Sequence, residues 1–200
     1  IISISNVKQN NTLNINNQNN EYDVQEDDDT KTNKVYREGN HIYFYTEIDS
    51  KSISELTILI REAEEYTVIS SLKMRIDEIP IYLHIYSNGG CLHSVFVAID
   101  IIKSCKVPVY SIIEGATASA GTLMSVVRKK RYIRPMAYML IHQLSSECWG
   151  KMSEIRDEYK NLTKFMNRIT DIYREYTTLT PKKIDKMLKH DLWLDARKSK

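Results

Sequence analysis

From residue 42 onward, short apolar runs alternate with segments whose apolar residues recur every three or four positions, and this alternation constrains the fold more than any other feature of the chain. Ile42-Tyr43-Phe44-Tyr45 has the composition of a strand. Ile53, Leu56, Ile60 and Ala63 then follow helical spacing, behind a capping box of Ser52 and Glu55. Ile79 to Tyr86 reads as a buried strand ended by the turn Ser87-Asn88-Gly89-Gly90, and Val95, Ile99 and Ile102 mark the next helix. Val107 to Ile113 reads as a strand closed by Gly115, and Ser119 to Val127 as a closely packed helix. Tyr138 to Ile141 gives another strand, with His142 at its end. After Gly150 a long helix carries Ile155, Tyr159, Leu162, Phe165 and Met166 on one side and ends near Thr180. Thr180-Pro181 then opens a short final helix with its cap and first-turn proline in place. Strands alternating with helices predict an α/β fold with a parallel sheet.

Residues 1–34 differ from the rest. They are crowded with Asn and Gln, carry the acidic stretch Glu26-Asp27-Asp28-Asp29, and show no apolar period, so a disordered tail is expected there and a folded domain over 35–200. The 200 residues suit one domain plus such an extension. A net charge of +2 gives no basis for a nucleic-acid or membrane surface. The three cysteines, Cys91, Cys105 and Cys148, form no CxxC pair and no zinc spacing, which predicts reduced thiols and a cytoplasmic setting. No apolar run reaches the roughly 20 residues that span a bilayer. The sequence opens without Met, which leaves room for an upstream segment.

Three features at strand ends could carry chemistry. In Gly115-Ala116-Thr117-Ala118-Ser119-Ala120-Gly121, Ser119 stands at a helix start, where free amides favour developing negative charge. The same small residues would equally serve close packing. His142 could act as a general base for Ser119, or be a structural histidine at a strand end. Gly89-Gly90 could expose backbone N–H groups, so that Gly90 and Ala120 form a two-donor oxyanion hole, or could simply turn the chain. A carboxylate would still be needed to orient the histidine, and spacing alone does not choose one.

Together these segments resemble the family of the Clp protease proteolytic subunit (ClpP), over roughly residues 41–196. The family's strand followed by Asn-Ser-Pro-Gly-Gly matches Ile85 to Gly90, its Gly-x-x-Ala-Ser-x-Gly motif matches Gly115 to Gly121, and its Met-Ile-His-Gln segment matches Leu140 to Gln143. The resemblance implies Ser119 as nucleophile and His142 as base. Its long helix laid over Gly150 to Met166 brings the family acid onto Asp191, with Asp185 as the alternative. It implies a crotonase-like stack of ββα units with a protruding long helix, the handle. It also implies serine-peptidase activity with no metal or cofactor in this chain, assembly into heptameric rings that stack in pairs, and delivery of protein substrates by an ATP-consuming AAA+ unfoldase of the Clp type.

The sequence departs from the family in specific places. Asn88 replaces the turn's proline, Leu144 replaces a proline, and Ser145-Ser146-Glu147-Cys148-Trp149 replaces a glycine-rich substrate-binding strand. Leu192 stands where an interface arginine is usual, no axial loop or first helix is recognisable before residue 41, and the family's closing strand is expected beyond Lys200. Two other readings follow from these departures and from the fold: a catalytically silent partner subunit, and an acyl-CoA enzyme of the crotonase type. A Ser–Lys pair using Lys129 or Lys130 competes with a solvated basic turn over Arg128 to Arg131, and Cys148 near His142 lacks any glycine turn or helix start to prepare it.

Overall fold

One mixed sheet carries the molecule, and the order of its strands explains where the site falls. The computed structural model describes residues 34–128 and 130–199; the expected tail lies outside them except for Lys34, and so does Lys129. Strand β1 (Lys34–Glu38) forms an antiparallel hairpin with β2 (His41–Tyr45). Helix α1 (Ser50–Met74) returns the chain to β3 (Ile81–Ser87), and helix α2 (Leu92–Ser104) to β4 (Val109–Ala118). Helix α3 (Ala120–Val126) follows directly, then β5 (Arg131–Ile133) and β6 (Tyr138–Leu140), the long helix α4 (Met152–Tyr176), α5 (Pro181–Leu188) and β7 (Trp193–Asp195). The sheet order is β1-β2-β3-β4-β6-β7, with β5 also on β4. Pairings from β2 to β6 are parallel, as crossover helices require. The β1 and β7 edges are antiparallel, which the alternation alone did not anticipate. The α/β architecture is as expected, with a ββα unit, β1–β2–α1, at one edge of the sheet, whereas β5 and β6 each pair with β4.

The core lies between the sheet and the helices. Ile42 and Phe44 of β2, Ile81, Leu83 and Ile85 of β3, and Ile53, Leu56, Ile60 and Ala63 of α1 are all buried together. The cap of α1 differs from the expectation. Asp49 is the N-cap: its carboxylate accepts from Ser52 N at 2.7 Å, and Ser52 Oγ accepts from Asp49 N at 3.0 Å. Both pairs fit the capping-box spacing, and the one with the reciprocal bond forms. Thr180 caps α5 as expected, accepting from Lys183 N at 3.3 Å.

Strand β4 is longer than its sequence suggests, and this matters for the site. Gly115 does not close it; with φ at +56° the glycine kinks the strand, packed under the Tyr86 ring, and pairing resumes. Before the kink Ser111–Ile113 pair with β5; after it Ala116–Ala118 pair with β6. Glu114 fixes the corner, accepting from Tyr45 Oη, from His84 Nδ1 at 3.0 Å and from Arg134 Nε at 3.0 Å. The basic run beyond α3 is not merely solvated. Arg128 donates to the Ile102 and Cys105 carbonyls, and Arg131, the first residue of β5, donates to Val126 O and Tyr176 O, tying off helix C-termini where cations are favoured.

Helix α4, about 37 Å long at 1.5 Å per residue, is anchored only at its C-terminal half, where Ile169, Ile172 and Tyr173 are buried. Met152, Ile155 and Tyr159 in its first two turns are exposed. This is the protruding helix that the resemblance implies. Among the described residues no helix is long and apolar enough to cross a membrane.

Candidate active site

The three triad candidates come from the ends of three adjacent strands. Ser119 immediately follows Ala118, the last residue of β4, and its N–H donates to Leu140 O at 2.9 Å. His142 lies two residues past Leu140, the end of β6. The β6–β7 pairing aligns Leu140 with Trp193, so continuing that antiparallel register two residues brings His142 opposite Asp191. His142 Nδ1 and Asp191 Oδ1 are 3.9 Å apart. That separation exceeds a hydrogen bond. His142 is nearly buried whereas the Asp191 side chain is 78% exposed. Asp185, the alternative acid, is on α5 and pairs with Lys189 at 2.9 Å.

Ser119 is the most unusual residue of the group. Its backbone has φ +55° and ψ −127°, a conformation that costs a non-glycine residue about 1–3 kcal/mol. Strain of this kind at a strand-to-helix turn is how a nucleophilic serine is raised out of regular structure. The side chain is buried, and Ser119 Oγ has no hydrogen-bond partner among the described residues. An unpaired buried hydroxyl costs about 1–3 kcal/mol, so two unfavourable features coincide on one serine.

The glycine pair is fixed by its surroundings. Ile48 N donates to Gly89 O at 2.7 Å and Cys91 N to Ile48 O at 2.7 Å, a parallel bridge that turns the Gly90 N–H away from Ile48. Gly89 has φ +100° and lies so close to the nucleophile that a Cβ there would stand 2.6 Å from Ser119 Cβ. Gly90, at φ +140°, has its Cβ position filled by the Ile48 carbonyl. Only glycine fits either place. Ala120 is the first residue of α3, and its amide is one of the helix's orphan donors. The Gly90 N–H thus faces away from Ile48, and Gly89 next to it packs against Ser119 and the Ala120 N–H.

Burial holds the His142 imidazole below its ordinary pKa of 6.5, and the Asp191 charge only partly opposes this. The ring is therefore neutral near pH 7, the form a proton acceptor needs. Since Nδ1 faces Asp191, Nε2 is the nitrogen left for a hydroxyl.

Other candidates are not drawn into this group. Cys148 is exposed in the irregular segment between β6 and α4, and Trp149 beside it is wholly exposed, so no strand replaces the family's glycine-rich one. Lys130 stacks over Tyr110 instead of approaching Ser119. Among the described residues no cluster of three or more His, Cys, Asp or Glu has metal-site geometry. A cavity of about 930 Å³ between β6, β7 and α5 takes Ile141, His190 and Leu192 into its wall, but neither Ser119 nor His142 lines it. Sequence reasoning missed two hydroxyls beside the site, Thr122 and Tyr173. Thr122 was findable as a hydroxyl three residues after Ser119 in a helix, whereas Tyr173 is hidden in an apolar helix face.

Comparison with known proteins bears on the family and the fold. The family model described as Clp protease matches residues 26–200. ATP-dependent Clp protease proteolytic subunit 2 of Treponema denticola is 36% identical over 122 residues, 60% of this chain and 61% of that protein. The subunit of the same name from Pseudomonas aeruginosa is 32% identical over 126 residues, 62% of this chain and 63% of that protein. The chain thus matches less than two thirds of the length of these relatives. Among solved structures, a mutant of ClpP1 from Listeria monocytogenes superposes with a TM-score of 0.68 at 25% identity, covering 80% of this chain and 85% of that one.

Proposed function

The chain belongs to the Clp protease family, and on that premise we propose that it is a serine endopeptidase, the proteolytic subunit of an ATP-dependent Clp-type protease. The observation that carries the reading is Ser119, buried on a strained strand-to-helix turn and bonded through its N–H to the end of the strand that leads to a neutral His142. In this mechanism Ser119 Oγ attacks the peptide carbonyl carbon while His142 Nε2 takes its proton. The carbonyl π pair moves onto oxygen, where Gly90 and Ala120 N–H donate to it. The C–N bond then breaks, His142 returns the proton to the leaving amine, and water cleaves the acyl-enzyme by the same route. Asp191 holds the imidazole once its carboxylate closes the present 3.9 Å gap, a tightening common on going from a resting site to a substrate complex.

Every step uses side chains and amides of this chain, with no cofactor. In the same reading ATP is spent by an AAA+ unfoldase of the Clp type that delivers protein substrates. Subunits form a heptameric ring, and the exposed apolar row Met152, Ile155 and Tyr159 on α4 supports contact between stacked rings. A silent partner subunit is the second reading, favoured by the exposure of Asp191 and by the absence of a partner for Ser119 Oγ.

The test is covalent labelling with a fluorophosphonate, with native mass measured in parallel. Labelling of the wild type and none of Ser119→Ala is expected. An assembled ring that takes no label overturns the peptidase reading and selects the silent subunit.

The imidazole supplies a second check. Protonation removes the base, and a pKa below 6.5 keeps the base form available to lower pH. Plotted against pH, the acid limb of kcat/KM should therefore have its midpoint below 6.5. An acid limb with its midpoint above that value contradicts His142 as a buried base.

A further inference from the structure

Thr122 Oγ1 donates to Ser119 O at 2.6 Å, and Thr122 N donates to the same oxygen at 3.0 Å. A threonine bonding back to a carbonyl of its own helix is ordinary, and Thr57, Thr67 and Thr170 do the same. Two things set Thr122 apart. Its oxygen also meets Tyr173 Oη of α4 at 2.6 Å, in a place where Thr122 and Tyr173 are both almost wholly buried. And the carbonyl it serves is that of the strained Ser119.

The direction of these bonds follows from valence. A carbonyl cannot donate, so the single Thr122 hydroxyl hydrogen goes to Ser119 O, and Tyr173 must donate to Thr122 Oγ1. Burial keeps the phenol protonated, its pKa raised well above the ordinary value. The result is a chain, Tyr173 O–H to Thr122 O–H to Ser119 C=O, in which each bond polarises the next.

The Ser119 carbonyl and the Ala120 N–H belong to one planar trans peptide unit, so the two bonds point in opposite directions. Two donors holding the carbonyl into α3 aim the N–H outward, and drawing electron density onto the oxygen makes that N–H a stronger donor. We propose that Thr122 and Tyr173 are positioning residues for the oxyanion donor, orienting and polarising the Ser119–Ala120 peptide from behind the site. The inference rests on the peptidase reading of Ser119.

Four proteins test it in the full-length assembly: wild type, Thr122→Val, Thr122→Ser and Tyr173→Phe. Each is assayed for kcat and KM on a peptide substrate and for inhibition by a peptide aldehyde, whose tetrahedral adduct needs the oxyanion donors. Losing a whole donor typically costs 10²–10³ in kcat, so weakening one in Thr122→Val is expected to cost about tenfold. The aldehyde should weaken by the same factor with KM unchanged, Thr122→Ser should restore both, and Tyr173→Phe should lose about threefold. Wild-type kcat in Thr122→Val, a loss shared by KM, or no rescue by serine overturns the proposal. Should Thr122→Val fail to fold, a wild-type kcat in Tyr173→Phe overturns it. The Ala120 amide proton, observed by NMR in protein labelled at alanine, should move upfield in Thr122→Val and return in Thr122→Ser. That readout needs no activity: if wild type takes no fluorophosphonate the peptidase reading fails, while an unmoved Ala120 resonance overturns the peptide polarisation itself.

Discussion

His142→Ala should lower peptide turnover on the order of a millionfold, to the level of Ser119→Ala, because loss of either member of a nucleophile–base unit removes the function of both. The double variant should therefore be no slower than either single one, and this non-additivity distinguishes a catalytic unit from two independent structural roles. A residual rate on the order of 10³-fold over water should survive in all three, since the Gly90 and Ala120 amides do not depend on the histidine. Initial rates on a fluorogenic peptide, with circular dichroism to confirm folding, measure this. A wild-type rate already at the level of the alanine variants would identify a silent subunit.

Gly90→Ala should be the most damaging substitution at the site that leaves the triad side chains untouched. Two terms combine. A side chain at φ +140° is strained by about 1–3 kcal/mol, and the new methyl would overlap the Ile48 carbonyl, forcing apart a bridge that holds two hydrogen bonds of 2.7 Å. A total of about 3–5 kcal/mol is expected, in the range where disruption of a special backbone position becomes diagnostic. Gly39→Ala is the control. It too has positive φ, at +60°, but its Cβ would meet the Tyr66 ring no closer than 3.8 Å, so only the strain of about 1–2 kcal/mol remains. Urea unfolding of the two variants measures the difference. Equal destabilisation would mean that the Ile48–Gly90 bridge is not holding the donor in place.

What the sequence disclosed and what it hid divide along physical lines. Ser119 and His142 could be singled out because each lies at a strand end, but local pattern left a packing or structural reading open to both, and their roles came from the family resemblance. Asp191 was not legible from local pattern, because what places it is β7, three residues long and recognisable only by its pairing with β6. The first strand escaped because Lys34-Val35-Tyr36-Arg37-Glu38 has charged ends and pairs on one side only, so its burial is too slight to impose an apolar alternation. At Gly115 the rule that glycine ends strands competed with the pairing of β4 to both β5 and β6, and tertiary pairing won. Arg128 and Arg131 read as solvated charge because the carbonyls they serve belong to helices up to 45 residues away. Tyr173 could not be separated from its apolar neighbours Ile169 and Ile172, since only the facing helix reveals its hydroxyl partner.

The dispersal of the proposed triad over β4, β6 and β7 also orders the site in time. A growing chain that has emerged through Ser119 has its nucleophile and both glycine turns, and one that has emerged through His142 has its base. Strand β6, though, has only β4 beside it until Trp193–Asp195 arrives, and α4, which brings Tyr173 to Thr122, lies between. A chain still being synthesised, with its neighbours on the same message unfolded around it, would thus carry a hydroxyl unable to cut them. On the proposed peptidase reading, placing the last sheet partner more than 50 residues after the histidine delays activity until the fold is closed.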